Sequence, residues 1–337
     1  MFASHTPKLR TNFKNRRACG LGLFAALALY SLIGVAGAQQ YPARSVRIVV
    51  AAPPGGLTDV VARALSQFLQ ERLGQPFVVE NIAGANNTLG AIMVGRSAPD
   101  GYTLLINPSL FVITPMLLNV PYAVVKDFTP VSNLGTVPLA MAVNPDVPAK
   151  KLREFLALAK ANPQNFSWAT DGIGSVGYLT EERIQHDAGF KLLVVPYKGV
   201  APAVIDLLAG RVSAMVTPVP NLIEHFRAGT LKPIAVTTKE RVDTLPDVPT
   251  LAESGLPGIE IGSWYGMWGP AGMPREVVNV LNREIAEAMK TPRVIEGVVA
   301  QGLIPVGSNA VDFAAFQNTE IAKYDRIIKE QKIKVEN

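Results

Sequence analysis

From Val46 onward the apolar residues fall into two alternating patterns: short runs rich in valine, isoleucine and leucine, and longer stretches with apolar residues at helical spacing. Val46 to Ala51 predicts a buried strand, and Asp59 to Leu73 a helix with Val61, Ala64, Leu65, Phe68 and Leu69 on one face. Phe77 to Val79, Thr88 to Ala98 and Tyr102 to Ile106 continue as strand, helix and strand, with Pro99-Asp100-Gly101 as a turn before the last. The order βαβαβ predicts a parallel sheet with helices on both faces.

A second series begins after Val143-Asn144-Pro145. Leu152 to Ala161 is a helix, Phe166 to Ala169 a strand, Asp171-Gly172-Ile173-Gly174-Ser175 a glycine loop and Val176 to Ala188 a helix. Leu192 to Pro196, Ala201 to Ala209, Val212 to Val216 and Ile234 to Thr237 extend the alternation. Both series read strand, glycine loop, helix, strand, which predicts two similar lobes. Leu139 to Val143 and Ser263 to Pro270 are the candidate crossings, so we expect lobe 1 over 39–141 plus 264–337 and lobe 2 over 142–263. Two crossings make a hinge, and a hinge makes a cleft.

The first 38 residues change this picture, because they read as an export signal. Lys8, Arg10, Lys14, Arg16 and Arg17 form a basic leader, Leu21 to Ala36 an apolar run, and Ala36-Gly37-Ala38 a small-residue cleavage pattern. A membrane anchor is the competing reading, since no charge occurs from Ala18 to Ala38. The polar segment Gln39-Gln40-Tyr41-Pro42 that follows favours Sec-type export with cleavage after Ala38, and hence a soluble periplasmic protein. The leader holds five of the 32 Lys and Arg and none of the 27 Asp and Glu, so the mature chain balances at 27 to 27. Near-zero net charge gives no electrostatic reason to expect nucleic acid as a partner. The single cysteine, Cys19, also lies in the leader, which excludes disulfides and a cysteine nucleophile from the mature protein.

Ala52 to Asp59, A-P-P-G-G-L-T-D, carries the best local signal of chemistry. Glycine lets backbone approach a ligand, and the first N–H groups of the following helix point outward with the positive end of the helix dipole behind them. A plain strand-to-helix turn capped by Thr58 or Asp59 explains the same residues. Neither familiar phosphate motif fits, because no Lys or Arg occurs between Arg47 and Arg63 and the glycines are adjacent. Asn81 to Gly90 and Asp171 to Ser175 are two more glycine-bearing loops after strands, and an open α/β sheet binds ligands at such junctions. Catalytic chemistry is thin: His186 and His225 are the only histidines after the leader, and no G-x-S-x-G, H-E-x-x-H or carboxylate cluster occurs. Ser109, Thr170 and Ser175 have no assignable base. Trp264, Tyr265 and Trp268 are read as core packing.

These segments resemble the periplasmic receptors of tripartite tricarboxylate transporters, the TctC or Bug family. The likeness runs through Pro53-Pro54-Gly55-Gly56 with Asp59, Leu73-Gly74-Gln75, Pro99 to Leu105, Lys126-Asp127-Phe128 and Pro196-Tyr197-Lys198-Gly199. It continues through Leu208-Ala209-Gly210, Trp264-Tyr265-Gly266 and Pro270-Ala271-Gly272. The resemblance implies an α/β, type II-like periplasmic binding fold with two lobes, each a mostly parallel sheet flanked by helices. It also implies a small carboxylate as ligand, a membrane permease as partner and no enzymatic activity; a monomer without cofactor or metal is the default expectation. By correspondence, the near-lobe contacts are Pro54, Gly55, Gly56, Leu57, Thr58 and Asp59, with Asn86, Asn87 and Ser109. The far-lobe contacts come from Thr170 to Ser175, with Thr170, Gly174 and Ser175 foremost, and from Tyr197 and Thr217.

Asn87 stands where the family usually has glycine, Phe111 and Tyr178 where histidine is frequent, and Ser213 and Thr217 where aspartate is frequent. On that basis the pocket is expected to be weakly polar and to favour a neutral-tailed or aromatic carboxylate over an amino acid. Two other functions fit the same fold: a sensory receptor that signals to a kinase, and a secreted hydrolase or lyase, against which the missing base and metal ligands weigh.

Overall fold

The computed structural model describes Met1, Ala3, residues 41–84 and residues 87–333. Apart from Met1 and Ala3, the expected leader lies outside the described residues, and so does its cleavage point. The chain divides into two compact units, Met1–Ala43 and Arg44–Asn337, and both sheets lie in the second.

The first sheet contains β1 (Val46–Val50), β2 (Phe77–Asn81), β3 (Thr103–Pro108), β4 (Phe128–Val137), β10 (Ser263–Pro270) and β11 (Ile304–Pro305). Its order is β11-β4-β10-β3-β1-β2. The second contains β5 (Leu139–Val143), β6 (Ser167–Thr170), β7 (Leu193–Pro196), β8 (Ala214–Pro218) and β9 (Lys232–Val236), in the order β7-β6-β8-β5-β9. Helices α1 (Leu57–Leu73), α2 (Thr88–Gly95) and α3 (Leu110–Leu117) belong to the first series of elements, and α4 (Leu152–Ala161), α5 (Val176–Ala188) and α6 (Val200–Leu208) to the second. After β10 come α7 (Arg275–Ala288), α8 (Pro292–Val299) and α9 (Ala310–Glu330).

The two sheets share one topology. β1 pairs in parallel with β2 and β3, and β6 in parallel with β7 and β8. Each sheet then adds an antiparallel strand supplied by a crossing: β10 beside β3 and β5 beside β8. The sheets are therefore mixed rather than mostly parallel, because a strand arriving from the other sheet enters at the edge where the parallel strands end. The chain leaves the first sheet at Val137, enters the second at Leu139 with Pro138 between them, and returns between Val236 and Ser263. All of β5 thus lies in the second sheet; one apolar run carries no mark of the sheet it joins.

Packing follows the periodicities. Val61, Ala62, Leu65 and Leu69 of α1 are buried, as are Ile48, Val49 and Val50 of β1. In β10 the period of two places Trp264, Gly266 and Trp268 on one face. Trp268 meets Phe111 at 4.8 Å and Phe313 at 5.2 Å between ring centroids. Its Nε1–H donates to Gln317 Oε1 at 2.7 Å, and Trp264 Nε1–H donates to the Tyr324 hydroxyl at 3.1 Å. Buried indole N–H groups need such partners, so α9 is fixed onto β10 by two hydrogen bonds in addition to its apolar face. Among the described residues no helix is long and apolar enough to cross a membrane.

Candidate ligand-binding site

A cavity of about 440 Å³ opens where the loops at the C-terminal ends of β1 and β3 meet those of β6 and β8. The first sheet contributes Gly55, Gly56 and Leu57, then Pro108, Ser109 and Leu110, and Ser263 and Tyr265 from the start of β10. The second contributes Asp171, Ser175, Val176 and Pro218, with Asn221 just beyond. The volume lies in the range of small-molecule sites. A larger hollow of about 730 Å³ has walls such as Val219, Ile223, Val299 and Leu303. It lies beside the short helix Ile223–Arg227 and away from the N-termini of α1 and α5, and Arg227, Lys239 and Arg241 are among its walls.

On the first side the loop is shaped by Asp59. Gly55, at φ 88°, turns the chain so that its N–H donates to Asp59 Oδ2 at 3.0 Å. Arg63 Nε donates to the same oxygen at 2.9 Å, and Asn81 Nδ2 to Oδ1 at 3.0 Å and to Ala52 O at 3.2 Å. Burial alone would raise the Asp59 pKa, but hydrogen bonds from Arg63, Gly55 and Asn81 outweigh it and hold the carboxyl below its ordinary value. Helix α1 has Gly56 at its N-cap with no side-chain cap, and its ladder starts at Val60 N–H to Gly56 O. The Leu57 and Thr58 N–H groups have no partner within the helix, and the dipole of a 17-residue helix adds to their pull on an anion.

The second side repeats the device. Helix α5 starts at Val176 with Ser175 as N-cap, whose Oγ accepts the Tyr178 N–H at 3.1 Å. Thr170 Oγ1 lies 3.4 Å from Ser175 Oγ and holds it from behind. Gly177 lets α5 approach β8 closely: a Cβ there would overlap Val216 O. Asp171 lines the cavity with Oδ1 sealed from solvent and without a hydrogen-bond partner. Burial raises its pKa, opposed by hydrogen bonding from Ser175 and its own backbone. Behind it Glu181 is wholly buried, accepts Val216 N–H at 3.0 Å through Oε1 and leaves Oε2 unpaired. Burial pushes this carboxyl well up; the Val216 bond opposes the shift, while Asp171 and Glu182 add to it. Tyr265 is pushed up to about 12 by burial.

Of the residues expected to touch ligand, Gly55, Gly56, Leu57, Ser109 and Ser175 line this cavity. Pro54 is exposed at the rim of the loop, and Thr58 and Asp59 are buried beneath it. Asn87, at φ 62°, caps α2 and its carbonyl accepts from Asn107 Nδ2 at 3.3 Å. Asn86 lies outside the described residues. Thr170 is buried, Gly174 packs against Leu117, Tyr197 donates to Asp206 Oδ2 at 2.8 Å, and Thr217 is buried in β8 with Asn221 Nδ2 3.4 Å from its hydroxyl. None of these four lines the cavity. Phe111 is also absent from the lining; it is stacked in the aromatic core with Tyr122 at 5.3 Å. The expected weak polarity of the pocket rested on Phe111 and Thr217, and neither reaches it.

Asp171 enters the sequence reading only as one position of the Thr170 to Ser175 loop, and Ser263 and Tyr265 do not enter it as site residues. The alternation of β10 carries the signal for the last two: with Trp264 and Trp268 in the core, Ser263 and Tyr265 face the other way. His186 and His225 lie at the surface beside Asp187 and Thr230. No Lys, Arg or His lines the cavity, and no group of three or more metal-ligating side chains occurs among the described residues.

Residues 61–333 match the family model described as tripartite tricarboxylate transporter family receptor, TctC. Protein BugT of Bordetella pertussis is 38% identical over 313 residues, covering 92% of this chain and 95% of that one. Two solved structures from Rhodopseudomonas palustris align at 32% identity. Rpa4515 with adipate has a TM-score of 0.78 and covers 87% of this chain and 99% of its own. MatC with bound malate has a TM-score of 0.74 and covers 86% and 100%. The shared topology of the two sheets, the paired loops at their meeting edge and these likenesses agree: the chain belongs to the tripartite tricarboxylate transporter receptor family.

Proposed function

We propose that this protein is an exported receptor that captures a small carboxylate between its two sheets and presents the closed form to the membrane permease of a tripartite tricarboxylate transporter. One observation carries the reading: the N-termini of α1 and α5, from opposite sheets, open on one cavity that no cationic side chain among the described residues lines. Backbone N–H groups and hydroxyls can hold a carboxylate there by charge-assisted hydrogen bonds. A ligand gripped from both sides favours closure, because it gains contacts in the closed state that the open state lacks. The adipate and malate carried by two relatives support an aliphatic dicarboxylate as the class. The export leader supports a periplasmic setting. The ligand is bound and released unchanged by a monomer without a cofactor.

Thermal melts of the mature protein with adipate, malate and a series of related acids test this. At about 100 times its dissociation constant a true ligand adds about 2.7 kcal/mol of stability. A melt unmoved by every acid in the series would remove the carboxylate reading. Retention of the ligand-loaded protein on vesicles that carry the cognate permease tests the delivery step.

A further inference from the structure

Asp171 places an acid inside a cavity that, on the reading above, receives an anion. Among the described residues, the charged and titratable groups that face it are acidic or neutral. Ser175 stands at the next turn, Tyr265 reaches in from β10, and Glu181 lies behind on α5. Glu182, next to Glu181, is held at the surface side by Lys191 Nζ at 2.5 Å, so that lysine serves another acid. Asp171 Oδ1 and Glu181 Oε2 are both buried without a hydrogen-bond partner. A carboxylate brought against Asp171, with no cation among the described residues of the lining, sets two acids side by side, and a proton bound between them relieves the repulsion.

We propose that Asp171 takes up one proton when a carboxylate enters the cavity and donates it to the ligand as an O–H···O hydrogen bond. The proposal rests on the carboxylate reading of the site. The proton comes from solvent on binding and returns to solvent when the ligand leaves, so no bond in the ligand changes. Asp171 is the group set for this role, because it lines the cavity, whereas Glu181 is sealed behind it and already accepts Val216 N–H. The direction in which burial shifts the Asp171 carboxyl, toward the protonated form, assists. Tyr265 stays protonated throughout and adds a neutral hydroxyl to the same wall. The site then selects for a carboxylate acceptor by a proton supplied on demand in place of a fixed positive charge.

Isothermal calorimetry of adipate binding to the mature protein tests this, run in buffers of different ionisation heat from about pH 6.5 to 8.5, above the ordinary carboxyl range. Wild type should take up close to one proton per ligand, with affinity falling by up to about tenfold per pH unit. Asp171→Asn, whose amide still donates, should bind without proton uptake and with a flat profile, while Glu181→Gln should keep the wild-type profile. Binding by wild type without proton uptake overturns the proposal and leaves the carboxylate reading intact. Uptake that survives in Asp171→Asn, or vanishes in Glu181→Gln, moves the proton elsewhere and also overturns it. The wild-type and Glu181→Gln measurements decide the matter even if Asp171→Asn fails to fold. Absence of binding heat from adipate and every related dicarboxylate removes the carboxylate reading and this proposal together.

Discussion

Replacing Asp59 by alanine asks whether the loop after β1 is shaped by one carboxylate or by its glycines alone. Asp59 is 4% exposed and accepts the Gly55 N–H, Asn81 Nδ2 and Arg63 Nε. The Arg63 side chain is 56% exposed, so water screens that pair and the other two bonds dominate. Charge-assisted bonds of this kind contribute about 1–1.5 kcal/mol each here, since Gly55 N–H can turn to water and Asn81 keeps Ala52 O. The expected loss is about 2–3 kcal/mol, a fall in Tm of about 4–8 °C for a chain of this size. The hydrogen bonds that outweigh burial depress the folded-state pKa of Asp59. Its stabilisation is therefore complete above the unfolded-state value and is lost as pH falls through the folded-state value. The Tm gap between wild type and Asp59→Ala should stay constant from about pH 6 to 8 and close only in acid, below about pH 4. Differential scanning fluorimetry across that range, with calorimetric titration of adipate at neutral pH, reads both stability and the seat of the ligand. An unchanged Tm with unchanged affinity, or a gap that widens in acid, refutes the role given to Asp59.

Two further substitutions separate fold from site. Ser175→Asp keeps a good N-cap for α5, so stability should stay within about 0.5 kcal/mol of wild type. The added negative charge in the cavity should weaken carboxylate binding by at least about 100-fold in calorimetry, and persistent binding would show that the α5 N-terminus is not a seat for the anion. Gly177→Ala drives a methyl into Val216 O. Helix α5 must retreat from β8, at a cost of about 2–3 kcal/mol, so Tm and affinity should fall together; an alanine variant with the wild-type melt would contradict the close approach.

The helices and strands that open each lobe were legible because their apolar periodicities are long and their stops are glycine or proline. Val176–Ala188 and Leu152–Ala161 coincide in sequence and structure for that reason. Helix α3 escaped notice because it is short, apolar on all sides and carries Pro115 inside it. The direction of β5 and β10 could not be read, since pairing partners lie far away along the chain. In the site, the glycine loops were legible from their place between strand and helix. The roles within them were not, because burial separates neighbours: Thr170 is interior, Asp171 lines the cavity and Ser175 does both jobs, capping α5 and lining the cavity. Phe111 showed the converse, a residue adjacent to lining positions Ser109 and Leu110 whose ring turns into the core.

The origin of each sheet's inserted strand sets an order of assembly during synthesis. All five strands of the second sheet lie between Leu139 and Val236, so that sheet can close as soon as this stretch is available. The first sheet cannot, because β3 and β4 are joined only through β10, and β10 begins at Ser263. Helix α9, which fixes β10 from behind, ends the described chain near Glu330. Residues 44–137 must therefore wait, unpaired along the edge of β3, for the last third of the polypeptide. A chain delivered from its N-terminus would thus complete its second sheet first and its first sheet last, although the first sheet's opening strands emerge earliest.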